Sequence, residues 1–129
     1  MARVPRLLLV LATLLLLFGT AMHGSAFTKT STVVAGSDLP VFFGGSLKAF
    51  WLNDCAAMLI LAALLALLAA KPAMGSRGIV LLLALFPAAI GVLLYVFIGP
   101  FFAAPFNLAI AALIFLGGLF WPRQSEIRP

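Results

Sequence analysis

Four long apolar stretches, Leu7 to Met22, Trp51 to Ala70, Ile79 to Ile98 and Phe106 to Trp121, occupy most of the chain, and Asp54 is the only charged residue inside any of them. Crossing a hydrocarbon core of ~30 Å takes about 20 predominantly apolar residues in a helix. Within lipid, a single segment satisfies its own backbone only by coiling into an α-helix. The 129 residues are 65% hydrophobic and 9% charged, against roughly 25% charged in an average soluble domain. The sequence therefore predicts an all-α fold in one domain, residues 1–129. It would be an integral membrane, four-transmembrane-helix antiparallel bundle with spans at about 7–27, 51–70, 79–98 and 106–121.

The first run also fits the apolar region of a signal peptide, with Gly24 and Ala26 as small residues near a cleavage position. Extension through His23 to Phe27 brings it to spanning length, and it is read as a retained helix. Thr28 to Asp38 is rich in Thr, Ser and Gly and reads as a loop. Leu39 to Phe50, LPVFFGGSLKAF, is short and interrupted by Gly44 and Gly45. Its aromatic residues suggest a segment lying in the membrane interface, with an ordered loop as the alternative. Helices 1 and 2 are thus expected to be joined by a partly apolar outer loop.

The second helix is expected to open at Trp51, with Asn53 and Asp54 capping it, and to close at Lys71-Pro72. Pro87 should bend the third. Proline at 105 and 122 brackets the fourth, and the connection from Gly99 to Ala104 is short enough to make the last two helices antiparallel neighbours.

Basic residues collect on the cytoplasmic side of a membrane protein. With both ends inside (N-in/C-in), that side holds Arg3, Arg6, Lys71, Arg77, Arg123 and Arg128, and the outer side holds Lys29 and Lys48. The net charge of +5 then sets topology and gives no reason to invoke nucleic acid. The expected location is a plasma membrane, of the bacterial inner type. Ala62, Ala66 and Ala70, Ala84 and Ala88, and Ala109, Ala112 and Gly117 provide small faces through which helices can approach closely in lipid.

Sorted by depth, the uncommon polar residues gather at the outer end. His23 closes the first helix; Trp51, Asn53 and Asp54 open the second; Tyr95 lies in the last turn of the third; Asn107 opens the fourth. These six form the candidate ligand-binding site. His23 and Asp54 come to one level on antiparallel helices, and a pair between them would orient the imidazole. Plain helix capping by Asn53 and Asp54, and interface anchoring by Trp51 and Tyr95, are the competing structural roles.

One His, one Cys and one intramembrane Asp supply too few ligands for a buried metal, and haem held by two histidines would need two copies of His23. A lone Cys55 forms no internal disulfide or CxxC pair. No cofactor or metal is expected, and no catalytic residue is assigned. The size and number of spans resemble those of small multidrug-resistance transporters, which would imply a proton-coupled dimer. That family carries a glutamate within its first helix, where Leu7 to Met22 has no acid, so no family is assigned.

What the sequence supports is a non-enzymatic membrane protein, an accessory or assembly subunit whose partners are the bilayer and either another membrane protein or further copies of itself. The alternatives are a protein that binds or transports a small ligand or lipid through the outer polar cluster and, third, a membrane enzyme using a His23/Asp54 acid-base pair.

Overall fold

The structure, a computed structural model, describes residues 3–121. Among these residues five α-helices run in chain order: α1 (Arg3–Ser25), α2 (Phe27–Ala35), α3 (Val41–Ala70), α4 (Arg77–Ile98) and α5 (Ala103–Leu119). A 3-10 turn, Pro72–Met74, links α3 to α4. Three helical stretches are long and apolar enough to cross a membrane, Arg3–Ala35, Val41–Ala70 and Arg77–Ile98, and α5 is a shorter apolar helix. The flanking Arg123 and Arg128 lie outside the described residues.

Two expectations fail on the connection between the first two expected spans. Thr28 to Asp38 is not a loop, because α2 carries the axis of α1 onward after a break at Ala26. No glycine or proline stands between Ala26 and Gly36, and the hydroxyl of Thr32 donates within the helix to the Thr28 carbonyl at 3.0 Å. Such back-bonding lets a hydroxyl-rich stretch remain helical. Nor does the second helix open at Trp51. It begins at Val41, directly after Pro40, and passes through Gly44 and Gly45 without interruption. Each glycine costs about 1 kcal/mol of helix propensity, but Gly44 is buried, and a methyl group there would lie 3.1 Å from Val34 Cγ1 of α2. The glycine lets α2 and α3 meet, so this connection is a helical hairpin.

The last two helices are antiparallel and pack more extensively on each other than any other pair. α5 starts three residues earlier than expected, since Pro105 falls in its first turn, where a missing N–H breaks no intrahelical bond. α4 runs through Pro87, whose ring is fully buried. It opens at Ser76, whose hydroxyl accepts from the Ile79 N–H at 3.3 Å, an N-cap that satisfies one orphan donor.

Close packing follows the order α3, α1, α5, α4. One core joins the helices: Leu9, Ala12 and Leu16 of α1, Leu61, Ala62 and Leu65 of α3, Val80 and Ala84 of α4, and Ile110 and Ile114 of α5. Small residues set the approaches, though not all those expected. A methyl group at Gly91 of α4 would lie 2.8 Å from Leu108 Cγ and 3.0 Å from the Ala104 carbonyl oxygen. Gly118 and Gly117 of α5 are similarly close to Leu81 and Leu9. Ala62 and Ala84 are buried, but Ala66, Ala70, Ala109 and Ala112 face outward. On α3 the buried positions advance as Met58, Leu61, Ala62, Leu65, Leu68 and Ala69, a mixed three- and four-residue rhythm that a strict four-residue alanine series leaves.

These contacts fix the register. Gly19 of α1 lies by Phe106, Leu9 by Gly117, Val34 by Gly44, and His23 by Asp54. Ser25, Ile98 and Ala103 therefore end or begin their helices at nearly one level. Arg6, Lys71, Arg77 and the buried Trp121 belong to the opposite end. Among the described residues only the hairpin continues beyond the first level, and residues 41–50 carry it about 15 Å further at 1.5 Å per residue.

Candidate functional site

His23 sits in the last turn of α1, where helix carbonyls run short of backbone donors. Trp51 of α3 makes up part of that shortage: its indole Nε1–H donates to the His23 carbonyl oxygen at 2.9 Å. The same indole lies flat against the imidazole, with ring centroids 4.0 Å apart and an interplanar angle of 9°. Trp51 and Asp54 are three residues apart on one helix and so share a face. While Trp51 covers the imidazole, the Asp54 Oδ2 stands 3.5 Å from His23 Nε2.

That separation suits electrostatic attraction and is long for a hydrogen bond. The Nε2 atom is shut off from solvent and has no hydrogen-bond partner among the described residues. The side chains as a whole are 29% exposed for His23 and 32% for Asp54, so the accessible part of the ring is elsewhere on its perimeter. The contact is a closely packed trio with one electrostatic axis, buried where His23 meets Asp54 and open at its rim.

The other three candidates do not join it. Asn53, next to Asp54, lies on an exposed face of α3. Tyr95 is 56% exposed on α4, a helix not packed closely on α3. Asn107 is buried in α5, and its amide donates to the Ala103 carbonyl of its own helix at 2.9 Å, which settles its polarity locally. Depth alone brought these residues together in sequence; facing separates them. The capping role for Asn53 and Asp54 also lapses, because they lie well inside α3, whose N-cap is Pro40.

Beyond the trio, the surface offers a feature that polar-residue counting overlooks. Val41 is 93% exposed and Phe42 76%, and Val33, Leu39, Phe43, Leu47 and Phe50 also lie open on the hairpin. Just below, Phe97, Ile98, Phe101 and Phe102 are exposed around the α4–α5 turn. The signal was present in the run LPVFFGGSLKAF, once that run is read as helix. No group of three metal-ligating side chains occurs among the described residues. No family model matches this chain, nor does any curated protein or solved structure.

Proposed function

We propose that this chain is an integral membrane protein with both ends cytoplasmic, in a plasma membrane of the bacterial inner type, and that it serves as a non-enzymatic subunit. In this reading the four-helix section lies in the bilayer and the hairpin docks a partner membrane protein on the outer side. The basic residues Arg3, Arg6, Lys71 and Arg77 at the opposite end favour this orientation.

One observation carries the proposal: α3 is longer than the hydrocarbon core of a bilayer and apolar beyond it. Its 30 residues span about 45 Å, whereas the hydrocarbon core is ~30 Å. Tilt alone would need about 48° to hide that length, outside the usual range of 0–40°. The excess is the stretch that exposes Val41, Phe42, Phe43 and Phe50. A large apolar patch left outside lipid marks a protein contact.

The rival reading, a small-ligand site at the outer helix ends, has the His23, Trp51 and Asp54 contact in its favour. Three of its six residues point elsewhere, and the His23 Nε2 is enclosed. The discriminating experiment is purification in mild detergent with native mass measurement of the recovered particle. A stoichiometric protein partner is expected, lost from Phe42→Ser/Phe43→Ser while helix content is unchanged. Recovery of the chain alone, or a partner indifferent to that change, contradicts the docking role.

A further inference from the structure

We propose that His23, Trp51 and Asp54 form a proton-operated clasp that decides whether α2 stays docked along α3. The inference rests on the geometry of the trio and is independent of what the hairpin binds.

The joint between α1 and α2 is the weak point of the 33-residue stretch Arg3–Ala35. The Ala26 N–H reaches the Met22 carbonyl at 3.3 Å, and the Ser25 hydroxyl takes the same carbonyl at 2.8 Å. Past the joint, α2 has no buried residue and meets α3 where Val34 lies by Gly44. The trio holds the joint itself: the indole binds the His23 carbonyl, and the imidazole lies between the indole face and the Asp54 carboxylate.

Of the protonation states of His23, the cation is attracted most strongly by those two neighbours. With no proton on Nε2, its lone pair faces a carboxylate oxygen 3.5 Å away. A neutral ring carrying its proton on Nε2 directs that donor at the same carboxylate oxygen, but without the charge of the cation. When the ring takes a second proton from solvent it becomes a cation. It is then attracted end-on by the carboxylate and face-on by the indole, and a small shift closes the 3.5 Å gap to a charge-assisted hydrogen bond. Protonation therefore tightens the joint, and loss of that proton loosens it.

The titratable neighbours leave this role to Asp54. On α3 the others are Cys55, adjacent to it, and Lys48, six residues toward the hairpin tip; α2 carries Lys29. The other helix packed on α1 is α5, which has no titratable residue.

The test is amide hydrogen exchange of the full chain in lipid nanodiscs, read as protection factors for residues 27–35 at about pH 5.5 and about pH 8. Protection in α2 should be about threefold or more higher at the lower pH, the scale of a partly exposed ion pair. His23→Gln and the isosteric Asp54→Asn should each abolish the difference. Residues 110–118 of α5 should keep their protection throughout, which separates loss of the clasp from loss of the fold. A parent protein with no pH difference in α2, or either folded variant retaining it, overturns the proposal.

Discussion

Replacing Gly91 by alanine tests the packing account at its tightest point. In an open helix the change would be favourable, since glycine costs about 1 kcal/mol of propensity relative to alanine. At Gly91 the new methyl group would meet Leu108 Cγ at 2.8 Å and Cδ2 at 2.9 Å, with the Ala104 carbonyl oxygen at 3.0 Å. Leu108 is partly exposed and has some freedom to turn. The carbonyl is main chain and moves only if α4 and α5 separate. Overpacking of this kind costs typically about 1–3 kcal/mol, so after the propensity gain a net loss of about 1 kcal/mol is expected. Gly45→Ala is the matched control: that glycine is also helical, but nothing lies within 4 Å of the added carbon, so a gain of up to about 1 kcal/mol is expected. The two variants should differ by about 2 kcal/mol in reversible SDS unfolding from mixed micelles, followed through tryptophan fluorescence. Equal stability would show that the α4–α5 approach does not depend on Gly91. Gly118→Ala, about 15 Å along the same seam, should add its own loss independently.

Two further substitutions probe separate parts of the same account. Ala62→Leu should destabilise by about 1–3 kcal/mol because Ala62 is buried between helices, whereas Ala66→Leu, on an outward face, should stay within about 0.5 kcal/mol of the parent in the same unfolding assay. Gly99→Ala should cost about 1–3 kcal/mol, since φ 92 and ψ −159 at the α4–α5 turn belong to a region that side-chain-bearing residues avoid. Parent-like unfolding of that variant would contradict the turn geometry.

The apolar runs and their punctuation were enough to read three long apolar helices, a shorter fourth and an antiparallel final pair, because length and hydropathy act on one segment at a time. The level of His23 and Asp54 was also legible, from a fixed rise per residue on antiparallel helices. Facing was not. Whether Asn53, Tyr95 or Asn107 turns toward His23 depends on how each helix rotates against its neighbours, and small-residue contacts such as Gly91 with Ala104 decide that. Ala66 was misplaced for the same reason. The hairpin was missed because serine, threonine and paired glycines signal turns on average. Here hydroxyl back-bonding at Thr32 and the Val34 contact at Gly44 offset those tendencies.

The proposed bilayer-embedded four-helix section would place the α2–α3 hairpin on the side opposite the basic helix ends. Single cysteines introduced as Ser37→Cys in the hairpin turn and Ala73→Cys in the α3–α4 turn, in a Cys55→Ser background, test it directly. Intact cells expressing each variant would be treated with a membrane-impermeant maleimide. The account predicts labelling of Ser37→Cys without lysis and of Ala73→Cys only after lysis; labelling of both in intact cells, or the reverse pattern, contradicts it.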